Sequence, residues 1–208
     1  MSQSSERLLY SALIIAGLLL FVVAGLLGGP ENMRDVAAIH SLAAERAAKI
    51  GLTGQAIVIT RFGGAPYLFG ILLLAVALLA YARRWQSAIS LTAIVLGGRI
   101  AVELLKLAIG RPRPHFSPYP VEIASLSFPS GHSANSMITF LALALIVAPA
   151  KYRAAAIAAA IAASALIGLT RPLLGVHWPS DVVGGWAFGV VWVVVGVALS
   201  RRWSGTAE

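Results

Sequence analysis

Six stretches of the chain, at 9–27, 63–82, 88–109, 133–149, 154–169 and 182–199, are long, apolar and nearly free of charge. At about 1.5 Å of rise per residue, segments of this length approach or exceed a hydrocarbon core about 30 Å thick. Backbone amides in lipid must be satisfied within a helix or a closed barrel, and none of these stretches alternates with a period of two. The expected fold class is therefore all-α, a polytopic membrane protein with six transmembrane helices. Composition agrees: 59% of the residues are hydrophobic and 12% charged, too little polar surface to cover a water-soluble globule. With 208 residues and no long polar block, a single membrane domain over 1–208 is expected. No small-x-small cleavage site follows the first stretch, so it reads as a retained span.

An even number of spans puts both termini on one side. Arg7, Arg83 with Arg84, Lys151 with Arg153, and Arg201 with Arg202 then share that side, and short basic loops mark the cytoplasm. The net charge of +8 is spread as single residues and pairs beside apolar runs, which fits topology and anionic headgroups and not nucleic acid. Three connections, 28–62, 110–132 and 170–181, face the opposite side. In the first, Val36, Ile39, Ala43, Ala47 and Ile50 recur at helical spacing, so the 28–62 loop is expected to carry an extra amphipathic helix at the membrane surface. Such a helix would either guide a lipid to a site or simply cover it. Gly185 and Gly189 make a small-xxx-small pair, and alanines dominate 154–165, both signs of close helix packing.

Apart from the basic pairs, most polar residues near span ends collect in three segments on the non-cytoplasmic side: KLAIGRPRP from Lys106 to Pro114, FPSGH from Phe128 to His132, and TRPLLGVHWPSD from Thr170 to Asp181. Lys106 and Arg113 combine a point cation with a planar fork, a pair suited to neutralising and orienting a phosphoryl group. Both would also suit a helix end at an interface. Ser130 is the expected N-cap of the fourth span, where free amides and Gly131 form an anion site and His132 stands ready to protonate a leaving oxygen. The same residues would equally make a capped helix with an interfacial histidine. Asn135, Ser136 and Thr139 follow on one helical face as an inward polar stripe. Arg171, His177 and Asp181 complete the set: a carboxylate four residues after a histidine can bond one ring nitrogen and leave the other as a nucleophile. Glu103 is spaced to pair with Arg99 or Lys106. The only further carboxylate near these segments is Glu122, so a two-metal site is not expected. The absence of cysteine removes thiolate ligands and nucleophiles.

In order and spacing these segments resemble the tripartite signature of the type 2 phosphatidic acid phosphatase family: a lysine, six residues and Arg-Pro; Pro-Ser-Gly-His; and Ser-Arg, five residues, His, three residues, Asp. Thr170 stands where the family usually has serine. The resemblance implies a bacterial inner-membrane enzyme with cytoplasmic termini and an extracytoplasmic site, acting without a cofactor or metal on a lipid phosphate. It further implies that His177 attacks phosphorus, Asp181 orients it, and His132 protonates the leaving group. Lys106, Arg113, Ser130, Gly131 and Arg171 would hold the phosphoryl oxygens.

Phosphatidylglycerophosphate, phosphatidic acid and undecaprenyl pyrophosphate are all compatible substrates. With no second basic cluster evident in the sequence, broad activity on lipid phosphates is the expectation. A phosphotransferase passing the group to another acceptor, or a silent lipid-phosphate binder, would share the same residues. Vanadium haloperoxidases carry a similar signature, but they are soluble, which six apolar spans oppose. The sequence does not fix an oligomeric state.

Overall fold

The computed structural model describes residues 3–115, 119–121 and 125–205, so Glu122 lies outside the described residues. Those residues form eight α-helices and one short 3₁₀ turn at Ala150–Tyr152, and among them there is no strand. The helices are α1 (Gln3–Leu27), α2 (Met33–Ala48), α3 (Leu52–Arg61), α4 (Ala65–Tyr81), α5 (Trp85–Ile109), α6 (Gly131–Ile146), α7 (Arg153–Leu173) and α8 (Pro179–Gly205). Five stretches are long and apolar enough to cross a bilayer: Leu8–Leu27, Leu52–Tyr81, Trp85–Ile109, Ala150–Leu173 and Pro179–Trp203. Their outward faces are apolar too, with Leu19, Leu73, Leu104 and Leu107 all more than half exposed. An exterior of this kind is stable against lipid and not against water, and the chain is a multi-pass membrane protein.

The sixth apolar helix, α6, has only 16 residues, about 24 Å at the usual rise. Its length is explained by its place. It packs against α5, α7 and α8, and ten of its residues are buried, so protein and not lipid surrounds most of it. Gly185 and Gly189 of α8 permit this approach. A Cβ on Gly185 would stand 2.8 Å from the Ser130 carbonyl oxygen, and one on Gly189 would stand 2.8 Å from the Met137 Cβ. The apolar core joins Leu72, Leu91, Ile94, Met137, Ile138 and Val193 from α4, α5, α6 and α8.

Two tethers fix the ends of the bundle. Arg201 near the end of α8 donates to the Tyr10 hydroxyl of α1 at 2.9 Å, which puts the first part of α1 and the last part of α8 on one side. Arg84, in the turn between α4 and α5, donates to the Ile146 carbonyl at the end of α6 at 3.0 Å.

The 28–62 connection contains two helices where the sequence pattern pointed to one. α2 begins at Asn32, whose side chain accepts from the Arg34 and Asp35 amides, and it stops before Ile50. Of the apolar stripe anticipated there, Ile39 is buried while Ala47 and Ile50 are exposed. α2 lies against α7 and α8, and Arg46 donates to the Leu173 carbonyl at 2.7 Å.

Candidate active site

Gly110 ends α5 in the left-handed conformation at φ 70°, where a Cβ would be strained, and its amide bonds the Lys106 carbonyl. The chain then runs across the end of the bundle through Arg111 and Arg113. Ser125 and Ser127 return beside it, with the Ser127 amide bonded to the Arg111 carbonyl at 2.9 Å. α6 starts at Ser130, whose hydroxyl caps the Ser133 amide at 3.5 Å. The turn from α7 to α8 carries His177 and delivers Asp181 to the first turn of α8.

These three connections bring Lys106, Arg113, Gly131, His132, Arg171 and His177 onto one cavity of about 190 Å³. Asp181 and Ser130 stand behind that wall, both fully buried. The Ser130 hydroxyl is turned to its own helix, where Ser133 Oγ also donates to it at 3.1 Å, while its amide bonds the Asp181 carbonyl at 3.0 Å. Gly131 brings backbone close to the lysine, since a Cβ there would stand 3.4 Å from Lys106 Nζ. Thr170 does not face the cavity chemistry: its hydroxyl bonds back to the Ile167 carbonyl at 2.5 Å. The Ser-to-Thr departure therefore falls on a hydroxyl used within its own helix.

His177 is held from both ring nitrogens. Nδ1 lies 3.3 Å from Asp181 Oδ2, and Nε2 lies 3.1 Å from Arg113 Nη1. A carboxylate can only accept and a guanidinium can only donate, so Nδ1 carries the proton and Nε2, on the cavity wall, accepts from Arg113. Burial, reinforced by the charges of Arg113, Arg171 and Lys106, holds the His177 imidazole well below the usual histidine range. It is a neutral imidazole whose Nε2 lone pair accepts from the Arg113 guanidinium, in a wall of cations.

The cations are themselves positioned. Lys106 Nζ donates to Ser125 Oγ at 2.7 Å and stands 3.8 Å from Glu103, which settles which partner Glu103 meets. Arg113 donates to the Val176 carbonyl and, through Nε, to the Ser125 carbonyl, both at 2.6 Å. Arg171 donates to Thr60 Oγ1 of α3 at 2.8 Å, while its buried Nε has no partner. An anion in the cavity would meet unused N–H groups on Lys106 and Arg171, whereas every nitrogen of Arg113 is already bonded to Ser125, Leu126, Val176 or His177. Among the described residues no three His, Cys, Asp or Glu side chains gather as metal ligands.

Several residues of this architecture escaped the sequence reading. Arg111 makes a 2.9 Å ion pair with Asp181 Oδ1, donates to the Ala24 and Gly25 carbonyls of α1 at 2.9 and 2.6 Å, and stacks over the Phe128 ring at 4.3 Å. Ser127 donates to Asp181 Oδ2 at 2.5 Å, and the Trp178 amide donates to the same oxygen at 2.9 Å. Asp35 of α2 accepts from the Ser180 amide at 3.1 Å. Asp35 had no local signal, since its partner lies 145 residues away.

The sequence and the fold have counterparts in known proteins. Over 114 residues the chain is 43% identical to lipid A 1-phosphatase of Rhizobium etli, a match covering 50% of this chain and 46% of that protein. It is 42% identical over 114 residues to the protein of the same name from Rhizobium johnstonii, covering 50% and 44%. The match thus spans less than half the length of either. Against phosphatidylglycerophosphatase B of Bacillus subtilis it is 31% identical over 140 residues, covering 64% of this chain and 68% of that protein. The fold superposes on the crystal structure of a transmembrane PAP2 type phosphatidylglycerolphosphate phosphatase from Bacillus subtilis, with a TM-score of 0.78 at 23% identity over 91% of this chain and 96% of that one. Residues 87–204, more than half of the chain and inclusive of all three polar segments, match the profile of the PAP2 superfamily, and the chain belongs to that family.

Proposed function

We propose that the protein is a membrane phosphatase that removes a terminal phosphate from a lipid through a phosphohistidine. The observation that carries this reading is the double clamp on His177, with Asp181 on Nδ1 and Arg113 at Nε2. Phosphatase relatives in the same family support it. In the first step His177 Nε2 bonds to phosphorus as the bond from phosphorus to the lipid oxygen breaks, and His132 gives its proton to that oxygen. Lys106, Arg113, Arg171 and the Gly131 amide hold the phosphoryl oxygens, and Ser130 orders the helix start that presents Gly131. In the second step His132 takes a proton from water, the water oxygen bonds to phosphorus, and the bond to nitrogen breaks to release phosphate. Three cations supply the charge neutralisation that a metal provides elsewhere, and the reading has no cofactor.

The substrate is a lipid phosphate such as phosphatidylglycerophosphate, phosphatidic acid or undecaprenyl pyrophosphate. α6 counts as a sixth span because its neighbours shield it, and residues 1–208 act as one domain. α2 lies at the interface. Both termini are cytoplasmic and the cavity faces the periplasm of a bacterial inner membrane, which the basic residues at the opposite end favour.

The test is phosphate release from these lipids by purified protein in detergent. His177→Ala and His132→Ala are each expected to lose about 100-fold or more, the usual value of acid–base or nucleophilic assistance. Lipid labelled in its terminal phosphate should leave acid-labile label on the wild type and none on His177→Ala. Label retained by that variant would reject His177 as the nucleophile. A C-terminal reporter active only in the periplasm should be silent.

A further inference from the structure

Below the phosphoryl cradle the cavity reaches an arginine that the proposed chemistry does not use. Arg99 lies seven residues before Lys106 on α5, two helical turns or about 10 Å deeper into the bundle. It lines the same cavity as His177 and also a smaller pocket walled by Leu68, Phe69 and Val95. Among the described residues it has no hydrogen-bond or ion-pair partner, and its guanidinium rests over the Phe69 ring at 5.1 Å. Glu103, one turn above, meets Lys106 instead. An unpaired cation at this depth costs free energy unless a ligand meets it.

Two more polar groups converge there. Asn135 lines both cavities and Thr139 lines the lower one. Asn135 is 9% exposed and Thr139 1%, and neither Asn135 Oδ1 nor Thr139 Oγ1 has a partner. Buried polar atoms are normally satisfied, so two orphans beside an unpaired guanidinium mark a place built for a polar ligand. The set combines a cation for an anionic oxygen, an amide oxygen that accepts from a hydroxyl, and a hydroxyl that serves either way.

Resting on the phosphatase reading above, the geometry points to a second subsite in which Arg99, Asn135 and Thr139 take the phosphodiester and spacer hydroxyl of a lipid whose terminal phosphate sits on a short polyol. A terminal phosphate at His177 leaves the diester on the side of the acyl chains, which is the direction of Arg99. Phosphatidylglycerophosphate has this layout. Phosphatidic acid lacks the second anion, and a prenyl pyrophosphate places its second phosphate next to the scissile one, within the upper cradle.

The test measures kcat/KM on all three lipids for wild type, Arg99→Gln and Thr139→Val. In Arg99→Gln the ratio of phosphatidylglycerophosphate to phosphatidic acid should fall about tenfold or more, chiefly through KM, and in Thr139→Val about threefold. The ratio of pyrophosphate to phosphatidic acid should hold within about twofold. Should Arg99→Gln fail to fold, Thr139→Val and Asn135→Leu read the same ratio. Ratios unchanged in every variant, or an equal loss for the pyrophosphate, overturn the subsite. A wild type that releases phosphate from none of the lipids rejects the phosphatase reading itself.

Discussion

Asp35 of the first connection accepts hydrogen bonds from both the amide and the hydroxyl of Ser180, the residue beside Asp181. The same carboxylate takes the Gly29 amide at 2.7 Å. Ser180 Oγ also accepts from Arg111 at 3.0 Å, and Arg111 is the ion-pair partner of Asp181. A helix outside the main bundle is thereby joined through three side chains to the carboxylate beside His177 Nδ1. A negative charge at the first turn of α8 also complements the dipole of that helix.

Replacing Asp35 with alanine should therefore act at a distance from the cavity. Loss of a capping carboxylate costs about 0.5–2 kcal/mol, and turnover should fall several-fold because Ser180, to which Arg111 donates, loses its anchor. Thermal unfolding in detergent together with phosphate release gives the check. A variant with wild-type melting and wild-type turnover would show that the link is idle.

Arg111→Met should be far more damaging. It leaves Asp181 buried without its cation, and breaking one side of such a pair costs about 3–5 kcal/mol. The effect should couple to Asp181→Asn, so that the double variant loses less stability than the sum of the two single losses. Additive losses in melting would mean that the two residues act independently.

The three polar segments were legible because each keeps its residues within a few positions of one another: Lys106 with Arg113, Ser130 with His132, His177 with Asp181. Helix ends hold such short spacings, so sequence distance translates into space. The stripe of Asn135, Ser136 and Thr139 was legible for the same reason, and all three are buried. Arg111 was not, although it lies inside the first segment, because its partners Ala24, Gly25 and Asp181 come from α1 and α8. Arg171 lines the cavity, and its support by Thr60 depends on α3, a helix that the apolar pattern had left within the loop.

The depressed pKa of His177 predicts how the protein responds to acid. A free histidine protonates near about 6.5, whereas His177 stays neutral below that, so its lone pair survives into mildly acidic solution. The unfolded chain takes up the proton first. Stability contributed by this group is therefore fully present above about 6.5 and is lost as pH falls towards the folded value. Ring-nitrogen NMR of histidine-labelled protein is the direct measurement. His177 should keep the Nδ1-protonated neutral signature at pH 6 and below, and titration near its ordinary value would contradict the burial argument.

Close packing of α6 on α8 makes a final contrast between glycines. At Gly185 a Cβ would meet Ser130 O at 2.8 Å, Ser133 Cβ at 2.9 Å and the Ala134 amide at 3.1 Å, two of them backbone atoms that cannot turn aside. Gly185→Val must therefore push the start of α6 away from α8. That strains the 3.0 Å bond from the Ser130 amide to the Asp181 carbonyl and moves Gly131 and His132 relative to His177. Overpacking of this kind costs about 1–3 kcal/mol, and a displacement near 1 Å at reacting groups costs about 100-fold in rate. Gly70 of α4 has nothing within 4 Å of its Cβ position, so Gly70→Ala should match wild type in both melting and turnover. Both variants are expected to insert in the membrane, because neither alters the length or charge of a span. The comparison is read as phosphate release per mole of folded, detergent-purified protein. If Gly185→Val retains more than about half of wild-type turnover, the register between α6 and α8 does not set the geometry of the site.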